Sequence, residues 1–311
     1  MTNELQKYLD PRVLARIQRL DLKTRLVVEG FISGMHRSPF HGLSVEFAQH
    51  REYSPGDDIK HVDWKVYSRT DRYYIKQYEE ETNLRSTFLV DVSESMRYGH
   101  LAADGPALSK FHYAGCVAAS LALLLLKQQD AVGLATFDDT LRTHIPASAN
   151  PNQIKSIVHE LEQAPLADKT DLEPICHNLA EKLPRRGLVC LISDLLVDVD
   201  GCIRGLQHLV HKGHDVVVLH LMDHDELEFP FQGNTLFRGL EAMGEVVIEP
   251  RALRAGYLEA LGEFLADVKR RCIASHVDYR LVSTADHLGA ALASFLAARS
   301  EAVKKAKSRR K

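Results

Sequence analysis

Thr87-Phe88-Leu89-Val90-Asp91-Val92-Ser93-Glu94-Ser95-Met96 decides the fold. Residues 87–90 form a short run of β-favouring side chains with no polar alternation. A strand reads that way when both of its faces are covered, as in a parallel sheet. The run ends at Asp91, and the D-x-S-x-S that follows carries the short polar side chains of a loop. Working outward, apolar runs recur at 131–137, 188–192 and 216–221, and a further strand is expected at 278–282. Helical patterns fall between them. Residues 110–129 predict a long helix, apolar on most sides. Residues 151–163 predict an amphipathic one, with Ile154, Ile157, Val158 and Leu161 on one face. Further helices are expected at 172–183, 201–211, 252–273 and 285–298, with Gly213 placed to close the second of these. A tight turn at Asp138-Asp139 joins 131–137 to a strand at 141–145 as a hairpin. Strands alternating with helices from residue 87 onward predict an α/β, doubly wound, mostly parallel sheet.

Upstream of this region the texture changes. Residues 1–80 are polar and rich in turn residues, His and Tyr. Asp10-Pro11 marks a helix start, with a short helix over 11–20. Residues 26–29 and 43–47 are candidate strands, and Ser54-Pro55-Gly56-Asp57 is a turn. The expected organisation is a small β-rich N-terminal lobe over 1–82, a sheet domain over 83–300 and a basic, flexible tail over 301–311.

The 311 residues, 45% hydrophobic and 26% charged, are enough for a full core. A formal net charge of -3 gives no global attraction to nucleic acid or to a membrane surface. The five cysteines, Cys116, Cys176, Cys190, Cys202 and Cys272, are odd in number and widely spaced. That pattern is neither a disulfide framework nor a zinc ribbon, and it suits a reducing compartment. Residues 1–20 carry Glu4, Lys7, Asp10 and Arg12 and lack the apolar stretch of a signal peptide. The longest apolar run, 117–126, is short of the about 20 residues that span a bilayer. No membrane insertion and a cytoplasmic location are the expectations.

In a doubly wound sheet, ligands bind beyond the carboxyl ends of the strands. Three such places carry chemistry: Asp91-x-Ser93-x-Ser95 after the first core strand, Thr170 in the loop before Leu172, and Asp194 after the fourth core strand. Together they offer two carboxylates and three hydroxyls, an oxygen-only set suited to a hard cation. Mg²⁺ takes octahedral oxygen ligands at about 2.0–2.1 Å and keeps several waters. Asp91 would supply charge and hold waters, Ser93 and Ser95 could bind directly, and Thr170 and Asp194 would complete the shell directly or through water. So few carboxylates leave positive charge on the metal and a position open for a carboxylate from a partner.

Asp91, Ser93, Ser95, Thr170 and Asp194 resemble, in order and placement, the metal-ion-dependent adhesion-site motif of von Willebrand factor A domains. A longer stretch resembles the bacterial domain-of-unknown-function 58 family. It comprises Arg51-Glu52-Tyr53-Ser54-Pro55-Gly56-Asp57-Asp58-Ile59, Asp63-Trp64-Lys65, Ser68-Arg69, Lys76-Gln77-Tyr78-Glu79-Glu80-Glu81 and Asp91-Val92-Ser93-x-Ser95-Met96. The likeness covers about residues 30–285. It implies an A-type domain, a Mg²⁺, Mn²⁺ or Ca²⁺ cofactor, and a non-enzymatic binding role. It also implies partnership with a MoxR-type AAA+ ATPase in chaperone-like maturation of other proteins. The glycines common before the motif's threonine are absent from Lys169-Thr170-Asp171.

Other readings stand beside this one. Asp91 and Ser93 could cap a turn or the helix near Leu108. Arg51, Asp57, Asp58, Asp63, Trp64 and Lys65 are either a charge-paired structural turn or a partner surface anchored on Trp64, the single tryptophan. His208, His211, His214, His220 and His224 lack a Cys or carboxylate at zinc spacing. The alternative function is a metal-dependent hydrolase. A haloacid-dehalogenase-like phosphohydrolase would need an Asp where Ser93 stands. A nuclease would rest on the short D-x-K patterns Asp58-Ile59-Lys60 or Asp63-Trp64-Lys65. No Walker A, G-x-G-x-x-G, G-x-S-x-G or H-E-x-x-H pattern occurs.

Overall fold

The computed structural model describes residues 10, 14, 19–35, 47–53, 62, 64–78, 84–99, 108–166, 170–184, 186–233, 235–238, 244–293 and 295–297. The chain divides into two units, Met1–His36 with Leu84–Lys311, and Arg37–Asn83. The segment 1–82, expected to form one lobe, is therefore shared between them.

The first helix of the larger unit with described bounds is α1 (Leu20–Met35). The strand expected at 26–29 lies inside this helix. Its buried residues are Leu20, Lys23, Thr24, Val27 and Val28, a helical stripe in which two positions are polar. Those two polar positions hid the helical period, and the β-branched pair Val27-Val28 suggested a strand. After the smaller unit the chain continues with β3 (Arg85–Asp91), α3 (Lys110–Lys127), β4 (Ala131–Phe137) and β5 (Leu141–Ser148). Next come α4 (Gln153–Gln163), α5 (Leu172–Lys182), β6 (Leu188–Ser193), α6 (Val199–His211) and β7 (Asp215–Met222). Then follow α7 (His224–Glu228), an antiparallel pair β8 (Thr235–Arg238) and β9 (Glu245–Ile248), α8 (Pro250–Ala274) and β10 (Asp278–Ser283). Residues 288–293 and 295–297 are again helical.

Six strands form one sheet in the order β10-β7-β6-β3-β4-β5. All neighbours are parallel except the β4–β5 hairpin. Strand order runs outward in both directions from the β3–β6 pair, so the topological switch point lies between these two strands. Their register, Val90 opposite Ile192, brings Asp91 and Ser193 to the same edge.

The strands are buried on both faces. Phe88, Val90, Cys190, Ile192, Val217 and Leu219 face α1, α3, α4 and the C-terminal helical segment. Leu89, Ala135, Val189, Leu191 and Val218 face α5, α6 and α8. Covering both faces explains the unbroken apolar runs. The helix α3 is long and apolar enough to cross a membrane by composition, but 83% of it is buried as the core helix of this unit. Gly213, at φ 92, follows the α6 cap in the left-handed conformation that glycine accepts without strain.

The smaller unit contains the antiparallel pair β1 (Phe47–Glu52) and β2 (Tyr74–Tyr78), joined through α2 (Trp64–Thr70). Of the strand expected at 43–47, residues 43–46 lie outside the described residues, as does most of the helix expected at 11–20.

Candidate functional site

Asp91 is the last residue of β3 and is fully buried. The backbone then turns sharply. Val92 donates its N–H to the Phe137 carbonyl at 2.8 Å, tying the loop to the end of β4. A short 3-10 turn, Glu94–Arg97, follows. Gly99 meets Ser109 so closely that a Cβ would stand 2.9 Å from the Ser109 Cα, which makes glycine necessary there. This return brings α3 against the D-x-S-x-S loop. Ser109 caps α3 by accepting the His112 N–H, and the Lys110 N–H bonds the Tyr98 carbonyl at 2.7 Å. Asp91 and Ser93 therefore do not cap α3.

The Asp91 carboxylate gathers donors from three strand-edge loops. Its Oδ1 accepts the Ser93 N–H at 2.9 Å and the Thr170 hydroxyl at 3.3 Å. Its Oδ2 accepts the Ser193 hydroxyl at 2.5 Å. The Ser93 and Ser95 hydroxyls, both buried, lie 3.0 Å apart. Thr170 is held without glycines: Asp171 caps α5 through the Glu173 N–H and donates its own N–H to the Asp138 carbonyl beyond β4. Burial, and then the charge of Asp194, push the Asp91 carboxyl up to about 7, against the pull of the Ser193 and Ser93 hydrogen bonds.

Asp194 has a different environment. Its Oδ2 accepts from the Lys110 ammonium at 2.8 Å, and its Oδ1 from the Leu196 N–H at 3.3 Å. Lys110, 0% exposed, also donates to Glu226 Oε1 at 2.7 Å. Burial alone would lower its pKa, but Asp194 and Glu226 hold the ammonium above the ordinary lysine value. Burial lifts Glu226 above the ordinary carboxylate range, against the pull of Lys110. Glu226 is fixed by the capping box of α7, in which its Oε2 accepts the Asp223 N–H at 2.7 Å. Behind Asp194, His220 bonds the Asp194 carbonyl through Nε2 and the Tyr279 hydroxyl through Nδ1, each at 2.8 Å. Burial pushes its pKa down to about 4, so it is neutral.

The five residues singled out in the sequence thus share one edge of the sheet. Asp91, Ser93, Ser95 and Thr170 converge, while Asp194 is turned to an internal cation. Among the described residues no three His, Cys, Asp or Glu side chains are grouped as a metal set. A metal at this edge would therefore rest on Asp91 and hydroxyls, and the oxygen-only donors around Asp91 fit a hard divalent cation. Three participants escaped sequence reasoning. Ser193 sits beside the chosen Asp194, Lys110 opens an otherwise apolar helix, and Glu226 stands in the capping pattern Asp223-x-x-Glu226.

Asp57, Asp58 and Asp63 lie outside the described residues, as do the side chains of Arg51 and Lys65. Trp64 is 57% exposed and packs edge-on against Tyr67, which stacks on Tyr73 at 4.5 Å. His208 stands against His177 and near Glu181, and these side chains do not form a metal set among the described residues.

The family model for the protein of unknown function DUF58 matches residues 49–263. The chain belongs to this family. The uncharacterized protein Rv1480 of Mycobacterium tuberculosis is 26% identical over 266 residues, spanning 84% of this chain and 81% of that one. Among solved structures, the conserved hypothetical protein BatB from Bacteroides thetaiotaomicron is similar over 71% of this chain and 99% of its own, at 16% identity and a TM-score of 0.48. The SpRpn10 VWA domain is similar over 68% of this chain and 94% of its own, at 12% identity and a TM-score of 0.37.

Proposed function

We propose that this DUF58 chain is a non-enzymatic, divalent-metal-dependent protein-binding module. Asp91, Ser93, Ser95 and Thr170 hold the cation, with Asp194 as an outer ligand, and a partner carboxylate completes the shell. One observation carries the reading: a fully buried carboxylate at the topological switch point is ringed by serine and threonine hydroxyls, with no cation beside it among its described partners. Such a set holds Mg²⁺ or Mn²⁺ without cancelling its charge, and the residual charge orients an acidic side chain from outside. The hydrolase alternative has less support. Ser93 occupies the position where a phosphohydrolase needs its second Asp, and the neutral His220 is already bonded on both nitrogens. The resemblance that first suggested an A-type domain also suggests the partner, a MoxR-type AAA+ ATPase, and a cytoplasmic setting.

Calorimetric titration of Mg²⁺ and Mn²⁺ into metal-stripped full-length protein tests the reading. The expected result is saturable binding that disappears in Asp91→Ala, and retention of the ATPase on immobilised protein only when metal is present. Binding unchanged in Asp91→Ala would remove the cation from this edge of the sheet.

A further inference from the structure

The edge of the sheet already holds one positive charge. The Lys110 ammonium is bonded to Asp194 and Glu226 and is wholly enclosed. Burying an ammonium costs several kcal/mol unless its partners are well placed, and these are at 2.8 and 2.7 Å. The two partners come from different strand ends, Asp194 after β6 and Glu226 after β7. Asp91, at the neighbouring strand end, receives only N–H and O–H donors from its described partners. When ionised, Asp91, Asp194 and Glu226 carry three negative charges against one on Lys110, so these four groups keep two in excess. Both Asp194 oxygens are meanwhile engaged, Oδ2 by Lys110 and Oδ1 by the Leu196 N–H.

We propose that Lys110 determines the metal affinity of this site, because its ammonium competes with the divalent cation for Asp194 and passes to Glu226 alone when the cation enters. The inference rests on the metal reading above and adds a resident competitor to it. Glu226 suits the role of second acceptor. Its capping-box bond holds it in place on α7, and its side chain is 19% exposed, so the displaced ammonium keeps a fixed and partly solvated partner. The site would then exchange one internal cation contact for a metal contact. A metal-free protein would keep a closed Lys110–Asp194 pair.

The test is calorimetric titration of Mn²⁺ into metal-stripped full-length protein. Wild type is compared with Lys110→Met/Glu226→Gln, which removes one positive and one negative charge. The four-group charge is thus unchanged, and glutamine can still accept the Asp223 N–H. With Asp194 freed, this variant is expected to bind at least about tenfold tighter, and adding Asp194→Asn cancels the gain. A second comparison serves should the freed Asp194 prevent folding. Lys110→Met/Asp194→Asn removes the buried pair together and is expected to match Asp194→Asn alone, since Lys110 acts only through Asp194. Equal or weaker binding by the first variant overturns the inference while wild-type binding upholds the metal reading. A tighter Lys110→Met/Asp194→Asn than Asp194→Asn also overturns it, because Lys110 then acts as a distant charge. Absence of saturable binding in wild type and in the first variant overturns both the inference and the metal reading.

Discussion

Asp91 is a fully buried carboxylate that faces a second carboxylate and receives only neutral donors from its described partners. Its pKa of about 7 stands against an ordinary value of 3.8, burial being the first cause and Asp194 the second. A carboxyl whose pKa rises on folding favours the native state only while protonated. That contribution is complete below the unfolded value and is lost as pH climbs through the folded one. Metal-free protein should therefore lose stability between about pH 4 and about pH 7. Asp91→Asn keeps the shape and removes the charge. In chelator at about pH 7.5 it should melt a few degrees above wild type, equivalent to about 1 kcal/mol or more, and the two should converge toward about pH 4. Divalent metal should reverse the order, raising the wild-type Tm through preferential binding to the native state and leaving Asp91→Asn unmoved. Thermal melts across pH, with chelator and with Mg²⁺, give the answer; a wild type that is the more stable protein without metal would show that Asp91 is already compensated.

Elements explain what was legible and what was not. The strands β3, β4, β6 and β7 were readable because burial on both faces leaves continuous apolar runs, and the ends of β3 and β6 located Asp91 and Asp194, while Thr170 was found in the loop before α5. The helix α1 was misread because Lys23 and Thr24 fill two positions of its buried stripe. The short elements α7, β8 and β9 are five, four and four residues long, too brief for a period to emerge. Lys110 was hidden for another reason. Its partners are 84 and 116 residues away, so no local spacing signals them. Packing between α5 and α6 supplies a prediction of its own. A Cβ on Gly205 would stand 2.9 Å from the Cys176 Cβ and 3.2 Å from the Leu172 carbonyl oxygen, so two helices would have to separate. Alanine at a free helical site gains about 1 kcal/mol over glycine, but overpacking costs about 1–3 kcal/mol. Gly205→Ala should come out net destabilising by up to about 2 kcal/mol in chemical denaturation, whereas Gly256→Ala on α8, with nothing within 4 Å, should be neutral or stabilising. Equal effects at the two sites would mean that α5 and α6 adjust freely.

At the scale of the whole molecule, the family match runs through both units, from residue 49 in the smaller to residue 263 in the larger, so the shared sequence is not confined to the sheet. The larger unit can be followed as it opens, because its five cysteines are all free and buried. Cys116 and Cys190 belong to the core on one face of the sheet, and Cys176, Cys202 and Cys272 to the core on the other. Burial raises every one of these thiols above its ordinary value, Cys116 and Cys272 to about 11 and Cys176 to about 12. A protonated, enclosed thiol is inert to aromatic disulfide reagents, so labelling requires the structure to open. The faces are not equally secured. Of the 25 residues of α8, only Pro250, Val268 and Cys272 are buried, whereas α3 buries 15 of its 18. Local opening with few buried contacts lies at the low end of the free-energy range. Native protein should thus show no rapidly reacting thiol, and five in strong denaturant. In mild denaturant Cys272 should label first, with Cys116 and Cys190 last, as read by mass spectrometry of the labelled peptides. Simultaneous labelling of all five would mean that α8 and the sheet open together, and that the exposed length of α8 is held by more than its buried side chains.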